Sequence, residues 1–152
     1  LMRSSAASDV YKRQAVCLSV GQHKCDIAMA GLTINEEREE YVTFSDPYYK
    51  ASQRLVTLAD DTAFDDCKDA ASVEEVLKGL SASDKIGGQQ GTTAQYFVEG
   101  SDDWGFEGLP AEWVPYKSAS LAVQDMINGN VKYVIIDAAP AESITKAINA
   151  MQ

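Results

Sequence analysis

The sequence predicts an α/β fold whose mostly parallel sheet is covered on both faces. Three observations carry that expectation. Short strand-like runs recur at Ser52–Leu58, Lys85–Gln89, Trp113–Tyr116 and Tyr133–Ile136. The stretches between them repeat apolar residues at helical spacing on one face, and glycine, serine or aspartate punctuates the junctions.

The elements follow in order. Ser4 to Gln14 reads as the translation of a common transposase-type sequencing adapter, so residues 1–14 are set aside as an adapter-derived tail. They hold no apolar core of a signal peptide, and the protein proper is expected to start near Ala15 with its own N-terminus missing. Ala15–Val20 reads as a helix end closed by Gly21, and Cys25–Ala30 as a short buried strand ended by Gly31. Thr33 and Glu36 have capping-box spacing for a short helix running through Glu40. Tyr41–Phe44 alternates like a strand before Ser45-Asp46-Pro47.

Beyond the Ser52–Leu58 strand, a polar loop leads to a helix at Ser72–Leu80, with Val73, Val76, Leu77 and Leu80 on one face. After the strand Lys85–Gln89, Gly91 precedes a helix from Thr92 to about Val98. A Gly/Asp-rich loop covers Ser101–Pro110. The strand Trp113–Tyr116 is followed by a helix at Ser118–Asn128 closed by Gly129, then by Tyr133–Ile136, ending at Asp137. A last helix is expected over Ala141–Met151.

Composition narrows the function classes. With 13 basic against 23 acidic residues the net charge is −10, a surface that repels phosphate backbones and disfavours nucleic acid. No apolar run approaches the ~18 residues of a membrane span. Cys17, Cys25, Cys67 and the sole histidine, His23, lack the spacing of a structural metal site. A Cys25–Cys67 disulfide stays open, since three cysteines leave one unpaired.

Ligands of parallel sheets bind at the carboxyl ends of strands, often where a helix begins. Three places fit. At Gly31–Arg38 a helix start favours an anion, and Arg38 can add a two-pronged guanidinium grip; alternatively Arg38 pairs with Glu36, Glu37, Glu39 or Glu40. At Gly88–Thr93, Gly91 lets backbone amides approach a ligand while Gln89, Thr92 and Thr93 offer polar groups, or the stretch is simply a turn and N-cap. Asp137, at the end of an apolar strand, wants a cation such as an ammonium, or caps the last helix.

Cys25-Asp-Ile-Ala-Met-Ala-Gly-Leu-Thr-Ile-Asn-Glu-Glu-Arg38 with Phe44-Ser-Asp-Pro-Tyr-Tyr49 resembles the core of the family 3 extracellular solute-binding proteins. Lys85–Thr93 is similar to that family's second-lobe strand and ligand loop, and Asn128–Ala141 to its late strand and acidic anchor. The resemblance implies a type II periplasmic-binding-protein-like fold of two lobes, with residues 15–50 a partial first lobe and 51–152 most of the second. It implies a non-enzymatic, cofactor-free, monomeric chain, periplasmic or extracellular and with or without a lipid anchor. Such a chain captures a polar L-amino acid between its lobes and delivers it to the permease of an ABC transporter. Arg38, with Gly31, Thr33 and Thr93, would hold the carboxylate, Asp137 the ammonium, and Gln89 the side chain, with Thr92 in the same loop. Two rival readings share the scaffold: a cyclohexadienyl or arogenate dehydratase, and the sensing domain of a receptor kinase.

Overall fold

The computed structural model of the chain describes residues 15–29 and 31–151. The adapter-like residues 1–14, Ala30 and Gln152 lie outside that description. The chain divides into two units, Leu1–Ala51 and Ser52–Gln152.

In the first unit residues 15–21 form helix α1 and Glu36–Glu39 form α2. Gly21 is the last residue of α1 but does not supply its left-handed closing turn. The left-handed closing residue is His23 (φ 56°), with His23 N–H donating to Val20 O and Lys24 N–H to Ser19 O, both at 2.9 Å. Gly21 serves close approach instead, because a Cβ there would lie 2.8 Å from the Tyr41 carbonyl oxygen. Helix α2 is capped by Asn35, whose side chain accepts from Arg38 N–H at 3.0 Å, so the Thr33–Glu36 capping box is not used.

Two expected strands are absent. Residues 25–29 and Tyr41–Phe44 are not strands, and Ile27 and Met29 are 78% and 77% exposed. A strand is defined by a partner that takes its backbone hydrogen bonds. Among the described residues of this unit no paired strand exists, so the apolar pattern alone cannot produce one.

The second unit is built on four strands: β1 Gln53–Val56, β2 Lys85–Gln89, β3 Glu112–Tyr116 and β4 Tyr133–Asp137. Their order is β1-β4-β2-β3. β2 runs parallel to both β3 and β4, and β1 closes one edge antiparallel to β4. The helices are α3 Ala70–Lys78, α4 Thr93–Glu99, α5 Ala119–Ile127 and α6 Ala138–Asn149, with a single 3-10 turn at Asp102–Trp104. None of them is long and apolar enough to cross a membrane.

Strand β4 shows how the sheet is covered. Tyr133 and Ile135 pack with Ile86, Trp113, Leu77 of α3, and Ala94 and Val98 of α4. Val134 and Ile136 point the other way, to Val56, Ala122, Val123 and Met126 of α5, and Ala141 of α6. Alternate residues of one strand therefore feed two cores, which is why its sequence is continuously apolar. The expected mostly parallel, doubly covered α/β sheet is present.

Helix boundaries moved for local reasons. Helix α3 starts two residues early because Asp69 and Ser72 form a reciprocal capping box, placing Ser72 inside the first turn. Helix α6 starts at Ala138, not Ala141, since Pro140 falls in the first turn, where a missing N–H costs nothing.

The amino edge of the sheet is pinned by Asp84. Its carboxylate accepts from Ser81 N–H (2.7 Å), Ser81 Oγ (2.8 Å) and Lys132 Nζ (3.0 Å), and its carbonyl from Glu112 N–H (2.9 Å). The Ser81 backbone bond, then Lys132 and the Ser81 hydroxyl, hold its pKa down to about 2 from an ordinary 3.8. Folding thus favours the ionised form. The contribution is complete above the ordinary value and lost as pH falls towards about 2. Asp84→Asn should therefore flatten the acid limb of the chain's stability curve over that interval, as read by urea unfolding at a series of pH values.

Glycines 87 and 88 inside β2 are explained by large neighbours. A Cβ on Gly88 would meet the Trp113 ring at 2.4 Å and Ile135 O at 2.6 Å; one on Gly87 would meet the Tyr116 ring at 2.9 Å. Neither a strand carbonyl nor a packed indole yields easily. Gly88→Ala should cost about 1–3 kcal/mol in chemical denaturation, and a smaller loss would show that β2 and Trp113 shift freely.

Candidate functional site

Three parallel strands end on one side of the sheet, at Gln89, Tyr116 and Asp137. Because β1 runs antiparallel, it begins on that same side, and its first residue Gln53 is in register with Asp137. Helices α4 and α6 start there too. The backbone locks the corner: Ala138 N–H donates to Ser52 O at 2.9 Å and Gln90 N–H to Tyr116 O at 3.1 Å. Tyr116 is fixed in turn, since its hydroxyl donates to Asp125 of α5 at 2.8 Å, and burial pushes its pKa up to about 12.

The loop after β2 uses its polar groups unequally. Gly91 has a φ of 71°, and its N–H donates to Gln95 Oε1 at 2.9 Å. Thr92 is buried, and its hydroxyl donates back to Gln89 O at 2.7 Å, so it closes the turn without capping α4. Thr93 is half-buried, and its hydroxyl accepts from Gln53 Nε2 at 3.0 Å. Asp137 stands at the N-cap position of α6 but makes no capping bond. Its half-buried carboxylate instead accepts from the same Gln53 Nε2. Among the described residues Asp137 has no ion-pair partner.

The second unit thus gathers Gln89, Thr92, Thr93 and Asp137 at one corner, and adds Gln53, which sequence reasoning missed. The missing signal is long-range: Gln53 lies 40 residues from Thr93 and 84 from Asp137. Only the antiparallel β1–β4 pairing would have pointed to it. A separate cleft of about 430 Å³, lined by Phe97, Phe106, Leu109, Glu74 and Lys78 among others, contains none of the candidate residues.

In the first unit Arg38 is buried, 7% exposed, although it lies among four glutamates. Its Nη1 donates to Thr33 O at 2.6 Å, and among the described residues it forms no ion pair, so pairing with those neighbours is not the arrangement adopted. A guanidinium has five donors, and the bond to Thr33 uses one. Gly31 adopts φ 57°, but its N–H donates to the Tyr48 hydroxyl at 3.1 Å. Chemically, the first unit offers an orienting cation and the second a carboxylate flanked by a hydroxyl and an amide.

Residues 9–148 match the bacterial extracellular solute-binding proteins, family 3. The chain belongs to that family. The histidine-binding periplasmic protein of Escherichia coli strain K12 is 30% identical over 117 residues, 77% of this chain and 39% of that protein. The chain therefore spans well under half the length of this curated relative. Among solved structures, an ancestral amino acid-binding protein described as a precursor of cyclohexadienyl dehydratase aligns with a TM-score of 0.70 and 27% identity. That alignment covers 89% of this chain and 54% of the other. An ancestral arginine-binding protein bound to glutamine aligns at TM-score 0.63 and 27% identity, covering 93% and 61%. These neighbours have the type II periplasmic-binding-protein fold expected from the sequence, and the family 3 chain shares it.

Proposed function

We propose that the chain carries the ligand-reading core of an extracytoplasmic receptor for an L-amino acid. One observation carries this reading: Arg38 and Asp137 are withdrawn from water, opposite in charge, and without ion-pair partners among the described residues. A withdrawn charge needs a counter-charge, and a zwitterion brings one of each. Arg38 suits an α-carboxylate because its planar fork makes two parallel bonds. Asp137 suits the α-ammonium, with the Thr93 hydroxyl beside it.

The remaining candidates take supporting parts. Thr33 holds the guanidinium through its carbonyl, Gly31 turns the backbone ahead of that segment, and Thr92 shapes the loop that presents Thr93. Gln89, at the end of β2, faces the ligand side chain. A receptor of this kind hands its bound amino acid to a membrane permease. Relatives named for histidine, arginine and amino acid binding support this reading over an enzymatic one.

The test is calorimetric titration of L-histidine and L-arginine, each against its deaminated counterpart, imidazolepropionate or guanidinopentanoate. It is run on the chain as it stands and on the chain extended with the flanking segments of its histidine-binding relative. Asp137→Asn should weaken the amino acids about tenfold to a hundredfold more than the deaminated acids, because a charged hydrogen-bond partner is lost only for the ammonium. Arg38→Lys should weaken both kinds alike, since both keep the carboxylate. Equal losses from Asp137→Asn would make Asp137 a structural residue.

A further inference from the structure

Gln53 is unusual for the first residue of an edge strand. A glutamine there normally turns to solvent, where its many rotamers remain free. Here its Nε2 sits between two oxygens, donating to the Asp137 carboxylate and to the Thr93 hydroxyl. Its Oε1 is buried and has no partner among the described residues. Freezing the side chain in a state that leaves a buried acceptor unpaired is unfavourable, so something must offset it. The charge-assisted bond to Asp137 supplies part of that.

We infer that Gln53 is the positioning residue of the ammonium anchor; this rests on the amino-acid reading above. One amide nitrogen ties the end of β4 to the first residue of α4, two junctions that lack side-chain capping bonds. With one carboxylate oxygen engaged by Gln53, the other is the oxygen offered to the ligand. Primary ammonium groups, with several N–H donors, are the class this arrangement recognises; a fully alkylated amine has none to give. A merely structural strand residue would need neither the clamp nor the orphaned acceptor.

The charged surroundings are simple enough for a clean test. The first turns of α4 and α6 contain no charged side chain. On β1 the nearest cation is Arg54, whose Nη1 makes a long 3.4 Å bond to the Gln53 carbonyl. Gln53→Glu, of matching shape, would set a second carboxyl against Asp137, and two such groups cannot both ionise freely. Folding then raises a carboxyl pKa above its unfolded value. The variant should be near wild-type stability at about pH 4 and fall progressively below it towards about pH 8. A deficit that stays constant across that range overturns the clamp, whether or not any ligand binds.

The second arm uses Gln53→Met, which keeps bulk and removes the amide, in the form of the chain that binds L-histidine. Affinity for L-histidine should fall about tenfold while imidazolepropionate changes less than about twofold. An unchanged ratio between the two ligands overturns the positioning role. A pH-dependent Gln53→Glu deficit in a protein that binds neither ligand supports the clamp and counts instead against the amino-acid reading. The two ideas therefore fail separately.

Discussion

The second unit depends on one constraint: β4 must be covered on both faces. Tyr133 to Ile136 are all buried, and their side chains alternate between two cores. Helices α3 and α4 are thereby required on one face and α5 and α6 on the other. The same constraint places β4 between β1 and β2 rather than at an edge, because a strand apolar on both sides has no face for water. The proposed site follows from where that strand stops. Asp137 is the first residue after the apolar run, so the strand that anchors the fold also delivers a half-withdrawn carboxylate to the edge where the parallel strands end.

The neighbouring strand shows the cost of such packing. β2 lies beside β4 and must let the Trp113 and Tyr116 side chains of β3 cross its surface, which leaves no room for a Cβ at positions 87 and 88. The two glycines weaken β2 intrinsically but allow large rings to close over it. The turn after β2 has a different need: Gly91, in a left-handed conformation, redirects the chain into α4. Sequence inspection sees three similar glycines within five residues. Their physical roles divide between packing and turning.

Most of the second unit was legible because its elements announce themselves locally. All four strands lie within their expected runs or one residue beyond, and Lys85–Gln89 matched to the residue. The starts of α3 and α6 shifted by two and three residues where Asp69 and Pro140 made first turns that a simple reading placed outside, and the other helix ends by one or two. The first unit was less legible for a reason that is not local. Cys25–Ala30 and Tyr41–Phe44 have strand-like patterns, yet pairing is a property of two segments. Among the described residues of that unit the second is missing. Gln53 was missed by the same logic, since a cross-strand partner 84 residues away leaves no periodic trace.

The candidate residues are also differently prepared. Arg38 is held by Thr33 five positions away and by the cap at Asn35, so its orientation is written into one short segment. Asp137 is held by a residue from another strand and through it by a third element, so its orientation exists only once the sheet has formed. A carboxylate set in this way is stiff, because moving it means breaking a register that runs from Gln53–Asp137 to Val56–Val134. On the proposed reading, in which this carboxylate meets an ammonium, such stiffness favours recognition by geometry as well as by charge. The Arg38 guanidinium is instead tied to the Thr33 carbonyl, just ahead of its own helix. On the proposed amino-acid reading, the anchor set by the sheet selects the amine chemistry, whereas the one set by a single short segment meets the acid end.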